Sequence, residues 1–239
     1  MKDIRLLQLY PRDMNIYGDW GNALVLKRRL EWYGYHVTLL SYNPGDAFPD
    51  NVDLIVGGGG QDSGQDKIQD DLIAISPHIR ALADDNVPML MICGLYQLFG
   101  NFFKTREGHI ITGIGILDIE TVGGDERLIG NIVTRSEEFG DIVGYENHSG
   151  KTILKNSLPP LGIVMRGAGN NNEDRTEGAR YKNVIGTYLH GSLLPKNPQI
   201  ADFLIEQAVL RRYGEFSPQT VIDDSFAQQA RTVAMKRPR

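Results

Sequence analysis

Pro88-Met89-Leu90-Met91-Ile92-Cys93-Gly94-Leu95-Tyr96-Gln97 runs from an unbroken apolar segment straight into a cysteine and a glycine. The apolar part is short and shows no alternation, which suits a parallel strand buried on both faces. Residues 94–103 then read as a helix. A side chain on such a strand-to-helix turn is thrust out at the carboxyl edge of the sheet. The N-terminus of the following helix points at the sulfur and favours thiolate over thiol. A lone cysteine is more often a small buried apolar residue, but this position favours function.

Working upstream, residues 53–56 (DLIV) form another short apolar strand that ends in Gly57-Gly58-Gly59-Gly60. Residues 4–10 and 36–40 read as two further strands. Between them Asp19 serves as N-cap of a helix reaching Tyr33, with Ala23, Leu26, Leu30 and Tyr33 on one face and Gly34 as its stop. Residues 67–85 are helical in pattern, with a break or kink expected at Pro77.

Downstream the texture changes. Over residues 112–163, short β-rich runs (114–119, 128–134 and 142–145) predict antiparallel strands or a β-rich insertion at the sheet edge. Residues 167–178 read as a surface loop. Residues 184–189 (VIGTYL) make a further strand that ends at His190, and residues 198–213 make a helix with Ile200, Phe203, Leu204 and Ala208 inward. Alternation of this kind predicts an α/β fold, a doubly wound and mostly parallel sheet with helices on both faces. We expect a single domain over 1–239, with a core of about 4–216 and a tail over 217–239. The basic tail residues Arg231, Lys236, Arg237 and Arg239 read as a solvated end.

The totals exclude several classes of function. The 239 residues carry a net charge of −5, so no global basic field recruits nucleic acid. One cysteine rules out an intrachain disulfide and a multi-cysteine zinc site, and no metal is expected. No run approaches the ~20 apolar residues of a membrane span, and residues 1–10 lack a signal-peptide pattern. The expectation is a cytoplasmic protein without membrane insertion.

His190 follows an apolar strand just as Cys93 does, and two parallel strands ending this way present both side chains on one rim. Imidazole titrates near neutral pH and can relay a proton between a thiol and a leaving amine. By itself His190 would read as a histidine held by a loop carbonyl. The four glycines fit neither phosphate-loop pattern cleanly. They make a tight turn, and the N–H groups of Gly59 and Gly60, with that of Leu95, are candidates for an oxyanion hole.

The order of glycine turn, Cys-Gly-x-x-Gln elbow and late strand-histidine resembles the class I, triad-type glutamine amidotransferases. Gly144-Tyr145-Glu146-Asn147-His148-Ser149-Gly150 and Gly186-Thr187-Tyr188-Leu189-His190-Gly191 narrow this to the cobyric-acid-synthase-like branch. Asn15-Ile16-Tyr17-Gly18-Asp19-Trp20-Gly21-Asn22 is similar to the glutaminase subunits of lipid II isoglutaminyl synthases. The resemblance covers residues 6–216. It implies a flavodoxin-like fold, L-glutamine as substrate, and Cys93 and His190 as nucleophile and base. It implies Arg127 as the anchor of the substrate α-carboxylate and Gln97 as a residue near bound glutamine; from chemistry alone, Arg127 reads as a surface arginine and Gln97 as a cap or packing residue. His148 reads as site-adjacent and structural.

Two positions depart from the pattern. Many such domains carry glutamate two residues after the histidine, where this chain has Ser192. Asp118, Asp141 and Glu146 are available locally, and the resemblance implies an aspartate borrowed from a partner chain. Leu95 stands where glycine is common, which leaves its N–H in place. No Walker motif is found, so the ATP-using half is expected on another polypeptide; the resemblance implies a Mur-ligase-like synthetase partner carrying ATP and Mg, through which lipid II is reached in a heterodimer. The alternatives are an amidotransferase of a corrinoid pathway and a cysteine peptidase of the same fold.

Overall fold

The computed structural model describes residues 2–238. The first part alternates β1 (Asp3–Leu9), α1 (Gly21–Trp32), β2 (His36–Tyr42), β3 (Leu54–Gly57), α2 (Asp62–Asp84), β4 (Met89–Ile92) and α3 (Gly94–Leu98). A β-rich middle follows with β5 (Phe102–Lys104), β6 (Ile110–Thr112), β7 (Ile119–Ser136), β8 (Gly140–Leu154), β9 (Gly162–Arg166) and β10 (Thr176–Glu177). The chain returns with β11 (Ala179–Tyr181), β12 (Val184–Thr187), α4 (Pro198–Tyr213) and α5 (Ser225–Lys236).

The first sheet has the order β11-β12-β4-β3-β1-β2. Five strands are parallel and β11 pairs antiparallel at one edge. Of the four inner strands, β3, β4 and β12 are buried at every position, as the unbroken apolar runs require. Strands β4 and β12 are direct neighbours, with Ile92 opposite Thr187. The residues that follow them therefore leave the sheet side by side, and the Cys93 N–H donates to the Thr187 carbonyl at 2.8 Å.

Helix α2 begins five residues before the expected start and runs through Pro77 without ending. Its buried stripe of Ile68, Leu72, Ile75 and Ile79 spans the proline. That packing outweighs a penalty of about 3 kcal/mol for proline in a helix interior. Helix α3 is shorter than expected, because Phe102–Lys104 leaves it to pair with β6 and β7.

The β-rich middle forms a sheet of its own rather than an edge extension, in the order β10-β9-β7-β5-β6 with β8 on β7. Residues 114–118 lie outside any strand, while the other two runs fall within the long β7 and β8. The β7–β8 ladder loses register between Gly123 and Leu128, which releases Arg127 from the regular pleat. Strand β8 also crosses to the first sheet. The His190 N–H donates to the Tyr145 carbonyl at 2.8 Å, so the β7–β8 pair reaches the rim that holds Cys93.

Two more expectations are corrected. Residues 168–171 are buried. Asn170 accepts from the Tyr96 hydroxyl and the Gly178 N–H and donates to the Gly178 carbonyl, so this polar segment is structural. Its asparagines satisfy buried backbone groups that water would otherwise serve. The tail is not a free end either. Arg29 in α1 is buried and pairs with Asp202 of α4 and with Asp224 at the start of α5. Arg231 donates to the Asp141 carbonyl, and Arg166 donates to the Met235 carbonyl. Arg239 lies outside the described residues. Among the described residues, no helix is long and apolar enough to cross a membrane.

Candidate active site

Cys93 occupies the turn between β4 and α3 with φ 50° and ψ −100°. A non-glycine residue held there costs about 1–3 kcal/mol, and such strain concentrates where a side chain must be aimed. The turn is crowded. A Cβ on Gly94 would lie 2.9 Å from the Gly60 nitrogen and 2.7 Å from Met14 Cε, so position 94 needs glycine for close approach. The glycine turn after β3 is thereby pressed against the elbow, as the sequence suggested.

A cleft of about 400 Å³ opens above the elbow, lined by Cys93, Gln97, Arg127, Tyr17 and the segment 147–150. This volume suits an amino-acid-sized ligand. Arg127 donates from Nε to Asn147 Oδ1 at 2.7 Å and from Nη2 to the Tyr17 hydroxyl at 3.0 Å, which fixes its guanidinium at the mouth. Gln97 is buried and uses both ends of its amide. It accepts from Gln65 Nε2 at 3.0 Å and donates to the Tyr188 hydroxyl at 3.0 Å. His148 also lines the cleft, stacked on Tyr188 with ring centroids 3.6 Å apart, and donates from Nδ1 to the Gly150 carbonyl. Burial lowers His148 to about 4, so it is neutral at physiological pH.

His190 is buried at the tip beyond β12. Its Nδ1 lies 3.2 and 3.1 Å from the two carboxylate oxygens of Asp19. The other nitrogen, Nε2, makes no conventional hydrogen bond and is left for Cys93. Burial works against an imidazolium here. The negative charge of the Cys93 sulfur and the Asp19 carboxylate outweigh it, raising His190 to about 10. The edge of Tyr17 packs on the imidazole at 5.0 Å between centroids. Such a geometry serves nucleophilic attack followed by proton transfer.

Two sequence expectations fail at this point. Asp19 is not the N-cap of α1, which starts at Gly21 after Trp20; its buried carboxylate is spent on His190. Gly59 cannot serve as an oxyanion donor, because its N–H donates to Asp19 Oδ2 at 2.8 Å. Gly60 and Leu95 keep their places beside the elbow. Of the local acids, Asp118 is held by Asn101 and Asn156, Asp141 by Arg135, and Glu146 by the N–H groups of Ala168 and Gly169. Local pattern assigns Asp19 to a helix cap and gives Tyr17 no role beyond the resemblance of segment 15–22. The usable signal was position, since both lie after β1, whose carboxyl end belongs to the same rim.

Residues 5–198 match the family model of the CobB/CobQ-like glutamine amidotransferase domain. The chain belongs to the CobB/CobQ-like glutamine amidotransferases. It is 38% identical over 238 residues to the subunit GatD of lipid II isoglutaminyl synthase (glutamine-hydrolyzing) from Staphylococcus aureus, covering 99% of this chain and 97% of that protein. The GatD subunit from Streptococcus pneumoniae is 38% identical over 229 residues, covering 95% and 88%. A probable cobyric acid synthase from Methanothermobacter thermautotrophicus is 29% identical over 83% of this chain, which spans 41% of that protein. PurLQS from Thermotoga maritima shares the fold, with a TM-score of 0.58 at 17% identity over 90% of this chain and 100% of the other.

Proposed function

We propose that this amidotransferase is the glutaminase subunit of a lipid II isoglutaminyl synthase. The observation that carries the reading is a Cys93–His190 pair at neighbouring strand ends, in a chain 38% identical along 99% of its length to such a subunit. Glutamine enters the cleft with its α-carboxylate on Arg127, whose fork matches a carboxylate in a way lysine does not. The Cys93 sulfur attacks the side-chain carboxamide carbon. The oxyanion is held by the N–H groups of Gly60 and Leu95. His190 gives its proton to the amide nitrogen, the C–N bond breaks, and ammonia leaves a γ-glutamyl thioester on Cys93. His190 then takes a proton from water, whose oxygen attacks the thioester and releases glutamate.

Ammonia freed into water becomes ammonium and ceases to be a nucleophile, so its acceptor must be close. The acceptor chemistry belongs to a Mur-ligase-like synthetase partner in a heterodimer, with ATP and Mg bound there. The partner activates the D-glutamate carboxylate of lipid II as an acyl phosphate, and ammonia displaces phosphate to give D-isoglutamine. The work is cytoplasmic, at the inner membrane face through the lipid substrate. The test uses the purified two-subunit complex with amide-labelled glutamine, ATP and lipid II. Label is expected in the new isoglutamine amide. Labelled ammonium that accumulates while lipid II stays unamidated would overturn the reading.

The Arg127 assignment has its own check. Arg127→Lys should raise KM for glutamine about tenfold while kcat changes less than about threefold, because a ground-state anchor is weakened. Steady-state kinetics of glutamate release measure both. An unchanged KM would remove Arg127 from substrate binding.

A further inference from the structure

Tyr17 is 47% exposed, yet its backbone is held where a bulky residue is rarely found. It sits inside a 3-10 turn, Ile16–Gly18, with φ 56° and ψ 19°, in the left-handed region that favours glycine. Strain of this kind persists only where neighbours over-determine it. Here they do. The Ile16 N–H donates to the Gly59 carbonyl at 3.1 Å, and Ser192 Oγ donates to the Gly18 carbonyl at 2.7 Å. The Trp20 N–H closes the turn on Asn15 Oδ1 at 2.8 Å. The turn is thus tied to the glycine loop on one side and to the loop after His190 on the other.

This clamped turn delivers one side chain between two working groups. The Tyr17 ring stands at 79° to the imidazole of His190 with centroids 5.0 Å apart, a favourable edge-on aromatic contact. Its hydroxyl accepts from Arg127 Nη2 at 3.0 Å, across 110 residues of sequence. Tyr17 and Arg127 line the same cleft as Cys93. We propose that Tyr17 is a positioning residue of this site, whose ring fixes the plane of the base and whose hydroxyl fixes the guanidinium that takes the glutamine α-carboxylate. The inference rests on the glutaminase reading above. Asp19 holds the imidazole through Nδ1, and a ring held at one atom can still tilt. Tyr17 supplies the second restraint. Its hydroxyl, accepting from Arg127, also keeps its own proton for a carboxylate docked there. The two contacts are separable, because phenylalanine retains the ring and loses only the hydroxyl.

The experiment measures glutamate release by the two-subunit complex carrying Tyr17→Phe, Tyr17→Leu, or Tyr17→Phe combined with Arg127→Lys. Tyr17→Phe should raise KM for glutamine about three- to tenfold while kcat falls less than about threefold, the mark of a weakened ground-state anchor. Tyr17→Leu should raise KM by a similar factor and also lower kcat about 30- to 100-fold, because the base loses its orientation. In the Arg127→Lys background Tyr17→Phe should raise KM by less than about twofold more, since the hydroxyl works through the guanidinium. A merely structural role would produce neither the split between Phe and Leu nor the coupling to Arg127. Thermal melting should stay within about 3 °C of wild type, as for an exposed side chain. Should Tyr17→Leu fail to fold, the Phe variant and its coupling carry the test. Wild-type KM in Tyr17→Phe, wild-type kcat in Tyr17→Leu, or full additivity with Arg127→Lys overturns the inference. A wild-type complex that releases no glutamate sinks the glutaminase reading instead.

Discussion

Cys93→Ala abolishes glutamine hydrolysis, with kcat falling on the order of 10⁴–10⁶-fold, while added ammonium salts still support amide formation in the two-subunit complex. The magnitude follows from the role. Without the sulfur no thioester forms, and His190 and the oxyanion donors are left to assist water alone, which retains a small part of the rate. The fold should survive. Cys93 is 6% exposed and makes its structural hydrogen bond through the backbone N–H to Thr187, which alanine keeps. Alanine also inherits the same strained φ, so the change removes a reactive atom and little else. The ammonium arm separates loss of glutaminase from loss of the complex. Undiminished glutamate release from Cys93→Ala would remove Cys93 from the mechanism.

Gly59→Ala lowers kcat about 100-fold without a comparable change in melting temperature. Gly59 is not among the positive-φ glycines, so alanine is compatible with its backbone and the effect comes from the added methyl group. That methyl would sit 2.8 Å from His190 Cε1, 3.2 Å from Ile16 Cγ1 and 3.3 Å from Asp19 Oδ2. The imidazole is the side that yields, and a displacement near 1 Å in a proton-transfer pair costs about 100-fold. Gly59→Val should be worse. Steady-state kinetics and thermal melting together check the expectation. A Gly59→Ala enzyme of wild-type kcat would mean that His190 does not work from the position observed.

Much of the architecture could be read before any coordinates. The apolar runs before Gly57, Cys93 and His190 are inner parallel strands, and the periodic segment 198–213 is α4. Errors fell where a local rule met a tertiary demand. Pro77 does not end α2 because the stripe from Ile68 to Ile79 is held by the core on both sides of it. The polar run 167–178 is a surface loop only over its exposed residues 172–175, because Asn170 and Asn171 use their amides on buried backbone. Asp19 looked like a helix cap, since capping and buried ion pairing recruit the same short acidic side chain.

The sequence by itself determined the chemistry available: one thiol, one strand-end histidine, a glycine turn and an arginine within a family motif. These signals are local, written in apolar period and in the residues that sharp turns demand. Tertiary structure alone decided which distant groups meet. Placing β4 beside β12 brought Cys93 and His190 to one rim, and the approach of segment 15–21 to Ser192 set Asp19 against the imidazole. Contacts across 171 residues depend on strand order and crossover paths. No spacing along the chain encodes them.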